Sequence, residues 1–232
     1  MTEASEASEA AGHDTSAGDA AFLYPFIESE ERDAGPLLAD LAASARAKAL
    51  LSKSLAVATI EATAGAVEAA ARAMAERFEA GGVLYTFGNG GSSSDAASVA
   101  TLFSRPPSGR ALPARCLTED PAILTALGND VGFELIFARQ LIAHARAGDM
   151  CIALSTSGGS KNLLVAAAEA RKRSVLTVAM AGYDGGTLAR SPSVDHALVV
   201  RSDSVHRIQE AQAALAMQLW RTVQLELARK AA

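Results

Sequence analysis

Cysteine is scarce. The 232 residues hold two, Cys116 and Cys151, each inside a short apolar run, with no CxxC spacing and no histidine nearby. This excludes a disulfide framework or a thiolate metal site as an organising feature, and both are read as buried, reduced thiols. Basic residues are missing from the opening stretch. Residues 1–20 carry Glu3, Glu6, Glu9, Asp14 and Asp19 against no Lys or Arg, and with a net charge of −5 for the whole chain the remainder is balanced. No basic surplus is left to hold a nucleic-acid backbone. No run of 18 apolar residues occurs, and the opening segment has neither the basic start nor the apolar stretch of a signal peptide. No membrane partner is therefore expected, and the expected location is cytoplasmic.

What is present suits a packed core, because half of the positions are hydrophobic and a fifth are charged. Residues 1–21 are rich in Ala, Ser, Glu and Gly with no periodic apolar face and read as a disordered acidic tail. Residues 22–81 form a helical segment. Within it the Ala-rich stretch 37–80 repeats apolar positions every three or four residues and predicts two long helices, divided between Ser54 and Gly65. Gly81 and Gly82 close the second.

Residues 82–232 alternate strand and helix. Five short apolar runs, "VLYTF" (83–87), "ARCL" (114–117), "MCIAL" (150–154), "VLTVAM" (175–180) and "HALVV" (196–200), are separated by helical patterns that include 92–103, 121–127, 131–146 and 160–172. Strands apolar on both faces belong in a parallel sheet covered on both sides. The predicted fold is therefore α/β, a doubly wound five-stranded parallel sheet flanked by helices, closed by a helix over about 205–229.

In such a sheet the ligand sits beyond the carboxyl ends of the strands. Two turns there have suitable chemistry. "GNGGSSSDA" (88–96) follows the first strand, and its glycines allow a ligand close to the backbone. "STSGGSKN" (155–162) follows the third and gathers Ser155, Thr156, Ser157 and Ser160 ahead of a helix. Hydroxyls and free N–H groups at a helix N-terminus suit a phosphate. Neither turn has the GK[ST] ending of a nucleotide-triphosphate loop or the dinucleotide GxGxxG spacing, and either alone would be ordinary punctuation.

These motifs, with "LTALGNDVGFELIFARQL" (124–141), "GYDGG" (182–186) and "RIQEA" (207–211), resemble the sugar isomerase (SIS) domain family and, within it, the phosphoheptose isomerase branch. The resemblance covers about 37–228. It implies a sugar phosphate as ligand and a homotetramer with shared active sites. By position it implies that Asn89, Gly90, Gly91 and Ser92 line the sugar, with Asn129 and Asp130 near its hydroxyls. Ser155, Thr156, Ser157 and Ser160 would hold the phosphate, and Gln209 would reach the reacting end. Asp120, ahead of Pro121, matches a family position and equally suits a helix cap.

The same resemblance expects a His and, four residues on, a Glu after the glycine turn, where this chain has Ser98 and Leu102. It expects histidines on the last helix, where Gln212 and Met217 stand. Only Gln209 remains of the implied ligand set, so no metal and no other cofactor are expected. For proton transfer the remaining candidates are His206, three residues before Gln209, and Asp130, with Gln209 beside them. Asp95 could also act in proton transfer, although an Asp in a first helical turn more often supports its helix electrostatically, and Lys161 reads as either a phosphate neighbour or a surface lysine. Three readings stay open: a ketose–aldose isomerase acting on sedoheptulose 7-phosphate, a non-catalytic phosphosugar sensor or scaffold with an unidentified protein partner, and another SIS-type reaction.

Overall fold

The structure, a computed structural model, describes residues 34–231. The expected acidic tail lies outside the described residues. By contacts the chain divides into two compact units, Met1–Ala47 and Lys48–Ala232. The described part of the first is helical from Gly35 onward, with Leu37, Leu38 and Leu41 exposed.

The stretch expected to hold two helices is a single helix, α1, Gly35–Glu79. Gly65 does not break it, because a lone glycine costs only about 1 kcal/mol against the propensity of the surrounding alanines. Pro36 sits in the first turn, where its missing N–H is not needed. An 18-residue window of α1 reaches a mean hydropathy of 1.2, long and apolar enough to cross a membrane by composition alone. Alanine rather than bulky residues dominates this helix, and its buried face within the second unit (Val67, Ala70, Ala71, Met74, Phe78) belongs to the core.

Five strands follow: β1 Leu84–Gly88, β2 Ala114–Cys116, β3 Met150–Ser155, β4 Leu176–Gly182 and β5 His196–Val200. All pairings are parallel, in the order β2-β1-β3-β4-β5. Every residue of β1, β3 and β4 is buried, which explains their unbroken apolar runs. The pleat sends alternate residues to two separate cores. Leu84, Ile152, Leu154 and Met180 pack under α1, α2 (Gly91–Ser104) and α7 (Val205–Ala231). Tyr85, Phe87, Cys151 and Ala153 pack on the other side, where the helices are α4 (Ile136–His144) and α5 (Lys161–Lys172). There Phe87 stacks on Phe137 at 5.1 Å, a contact worth about 1 kcal/mol beyond its burial. The doubly wound sheet is thus observed.

Cys116 and Cys151 are free and buried, and burial pushes the Cys151 thiol up to about 12. α3 (Pro121–Asp130) is longer than the sequence predicts. The segment 131–146 is not one helix: Gly132, at φ 104°, breaks it into a 3₁₀ turn, Phe133–Leu135, and α4. A short helix, α6 (Gly186–Ala189), was not anticipated.

Candidate functional site

β1 and β3 are neighbours in the sheet, so the two glycine and hydroxyl turns at their carboxyl ends lie side by side. A reciprocal amide pair joins them. Asn89 Nδ2 donates to Asn162 Oδ1, and Asn162 Nδ2 donates to Asn89 Oδ1, both at 2.9 Å. Asn89 immediately precedes the turn into α2, and Asn162 is buried in the first turn of α5. The amides therefore fix two helix N-termini against each other. Neither helix has a side-chain cap: Gly90 has no side chain to offer, and Ser160, at the N-cap of α5, makes no capping bond. First-turn N–H groups left uncapped are suited to an anion.

The hydroxyls divide into two kinds. Ser155 is buried and its Oγ accepts from the Gly158 amide at 2.9 Å, shaping the turn from inside. Ser157 is exposed and Thr156 and Ser160 are half-buried, within reach of a ligand. Gly158 holds φ 63°, and a Cβ there would collide with the backbone carbonyl of Gly185, so the turn packs directly on the "GYDGG" segment after β4. Ser92, buried, lies in the first turn of α2.

Asp120 caps α3, its Oδ1 accepting from the Ala122 and Ile123 amides at 2.9 and 3.2 Å. Asn129 and Asp130, exposed at the far end of α3, bond each other at 2.7 Å. The following 3₁₀ turn contacts α5, and Glu134 pairs with Lys161. Lys161 is thus an exposed, ion-paired lysine at the start of α5. His206 is exposed in the first turn of α7. Its neighbours Arg207 and Glu210 pair at 2.6 Å and both engage Ser52 of α1. The Ser52 hydroxyl, then Arg207, hold the Glu210 carboxyl below the usual carboxylate range.

Gln209 points elsewhere, packing so closely over Gly91 that any Cβ there would strike its amide, while its Nε2 donates to Asp95 Oδ2 at 3.0 Å. This contact places a carboxylate beside the glycine turn. It was not legible as a site feature, because the two residues lie 114 positions apart. Burial pushes the Asp95 carboxyl above the ordinary carboxylate range, and the Gln209 bond pulls it part of the way back.

Asp95 opens onto a groove of about 600 Å³ between α2 and α7, lined also by Ser98, Leu102, Leu154, Gln212 and Met217. Gln212 is fully buried and anchors α7 to the sheet, its Nε2 donating to the Ser155 and Met180 carbonyls at 3.0 and 3.1 Å. The groove therefore begins at the floor of the hydroxyl-rich turn. As a metal site its donors do not fit: it offers one carboxylate, Asp95, and one amide, Gln212, whose Nε2 is spent on the sheet and whose Oε1 is a lone buried amide oxygen. No three His, Cys, Asp or Glu side chains gather to hold a metal among the described residues.

The SIS domain matches residues 50–182. The chain belongs to the SIS-domain family. This SIS protein is similar to the phosphoheptose isomerase of Solidesulfovibrio magneticus, with 43% identity over 155 residues, 64% of this chain and 72% of the relative. The phosphoheptose isomerase of Leptospira biflexa is 39% identical over 165 residues, 69% of this chain and 84% of its own. Among solved structures, the phosphoheptose isomerase of Neisseria gonorrhoeae superimposes with a TM-score of 0.71 at 32% identity, covering 80% of this chain and 98% of that one. That of Francisella tularensis gives 0.72 at 31%, covering 80% and 97%. It is a phosphoheptose isomerase-like SIS protein.

Proposed function

We propose that the protein binds a sugar phosphate across the two turns, with the phosphate at Thr156, Ser157, Ser160 and the first amides of α5. The sugar would lie toward Asn89, Gly90, Gly91 and Ser92. The observation that carries this reading is the Asn89–Asn162 pair, which holds two uncapped helix N-termini together at the strand ends. Ser155 contributes by shaping the turn and Gln209 by closing over Gly91. Asp120 has one oxygen beyond its cap bonds, and Asn129 and Asp130 reach the ligand from α3. The similarity to phosphoheptose isomerases makes sedoheptulose 7-phosphate the first ligand to test, and ketose–aldose isomerisation the first reaction.

Ser98, Leu102 and Met217 favour a second reading. If these positions replace the family's metal-binding and catalytic side chains, the protein senses a phosphosugar or serves as a scaffold. A thermal-shift screen of sugar phosphates run beside turnover assays separates the two: stabilisation with aldose product supports the isomerase, and stabilisation without product supports the sensor. Exposed Leu50, Leu51 and Val57 on α1 support a closed oligomer of a soluble, cytoplasmic protein, a tetramer by family resemblance. Light scattering at monomer mass would contradict that assembly.

A further inference from the structure

We propose that Asp95 is the catalytic residue of this chain, the group that exchanges a proton with a carbon of the bound sugar phosphate. The inference rests on the sugar-phosphate reading and goes beyond it by assigning a reacting group where the family resemblance supplies none. Three observations place Asp95 at the reacting end. It is the one carboxylate lining the groove between α2 and α7. It stands four residues after Gly91, in the helix whose uncapped N-terminus faces the other turn. Gln209, held over Gly91, fixes Oδ2 with a 3.0 Å bond and leaves Oδ1 for a ligand.

The other titratable groups are engaged or placed elsewhere: Asp120 caps α3, and Asp130, exposed at the far end of α3, accepts from Asn129. On α2 Asp95 is the only ionisable side chain, with Arg105 just past the helix end and lining the same groove. On α7 the charged or titratable residues before Arg221 are His206, Arg207 and Glu210. Arg207 and Glu210 pair with each other and with Ser52, and His206 is exposed. The β1 and β3 turns present amides and hydroxyls but no charge before Lys161, which pairs with Glu134. Burial raises the Asp95 carboxyl above the ordinary carboxylate range, the direction that makes a carboxylate a stronger base.

The step balances without a co-reactant. Asp95 Oδ1 takes the proton from the hydroxyl-bearing carbon next to the carbonyl. The C–H electron pair forms the carbon–carbon double bond of an enediolate, and the carbonyl π pair moves onto oxygen. The hydroxyl proton passes between the two oxygens, and Asp95 returns its proton to the neighbouring carbon. Ketose becomes aldose, with Asp95 restored. The Gly91 amide at the start of α2 would stabilise the oxyanion as it forms.

The test is deuterium incorporation. The full-length protein is incubated with sedoheptulose 7-phosphate in D₂O containing a chelator. Carbon-bound deuterium is read by NMR, and binding is measured separately by calorimetry. The wild type should incorporate deuterium with a pH profile that rises through an ionisation above the ordinary carboxylate range. Asp95→Asn, which keeps an acceptor for Gln209, should lose at least ~100-fold of the exchange while binding changes less than about threefold. Asp95→Glu should restore part of the exchange with a shifted profile. Folding of each variant is checked by thermal denaturation. Undiminished exchange in Asp95→Asn overturns the assignment. Heat of binding without exchange in the wild type overturns it and leaves the binding reading intact, whereas no heat with any sugar phosphate defeats the binding reading itself.

Discussion

Asn89 and Asn162, 73 residues apart, exchange two side-chain hydrogen bonds of 2.9 Å and so join the turn after β1 to the first turn of α5. Each side-chain amide satisfies the other, while the Ser92 and Ser93 N–H groups donate to the Asn89 and Gly90 carbonyls, so the two turns are braced at the mouth where a ligand would sit. A carboxylate at either place would repel a phosphate, and an aliphatic side chain would leave the buried Asn162 amide or the half-buried Asn89 amide without its partner.

Replacing either residue should therefore loosen the site more than the fold. Asn162→Ala and Asn89→Ala are each expected to lower stability by about 1–2 kcal/mol in urea unfolding. Each should weaken sugar-phosphate binding by ~10-fold, since preorganisation of the turns is lost. A double-mutant cycle should show coupling of at least ~0.5 kcal/mol between them. Additive effects on binding would mean that the pair is not what holds the turns.

Asp95 gives a pH signature in stability as well. Its folded-state pKa is raised, so the native protein keeps this proton to higher pH than the unfolded chain does. The favourable contribution is fully present below the ordinary carboxylate value and is lost as pH rises through the raised one. Asp95→Asn removes the titration. Its Tm should match the wild type near pH 3 and exceed it at pH 7. A variant less stable at pH 7 than at pH 3, relative to wild type, would reverse the sign.

The donor set of the groove predicts the outcome of metal analysis. With the Gln209 amide bonded to Asp95 and Gln212 bonded to the sheet, no trio of imidazole, thiolate or carboxylate is available there. Elemental analysis of untagged protein is expected to find zinc well below one equivalent, and chelation should leave Tm unchanged. Stoichiometric zinc would contradict the assignment.

The strands were legible because β1, β3 and β4 are buried on both faces and so leave continuous apolar runs between turn residues. Both ligand turns were legible for the same reason, as glycine and hydroxyl clusters directly after those runs. The continuity of α1 was not: Gly65 looks like a break, but one glycine costs too little to end a helix carried by so many alanines. The break at Gly132 was missed because the apolar spacing continues across it, although exposed Phe133 shows that the spacing does not track burial there. The Asp95–Gln209 contact depends on how α7 crosses α2. Local sequence carries no signal for that, so Asp95 read as a helix-supporting charge and His206 as the better acid–base candidate.

The central claim is an anion held between the two turns, and isothermal titration calorimetry of the wild type and Ser157→Ala with sedoheptulose 7-phosphate and the unphosphorylated sugar tests it most directly. The account predicts binding of the phosphorylated sugar, none of the free sugar, and ~5–10-fold weaker binding in Ser157→Ala, the loss of about one hydrogen bond to a charged group. Equal heats for both sugars, or an unchanged affinity in Ser157→Ala, would contradict it.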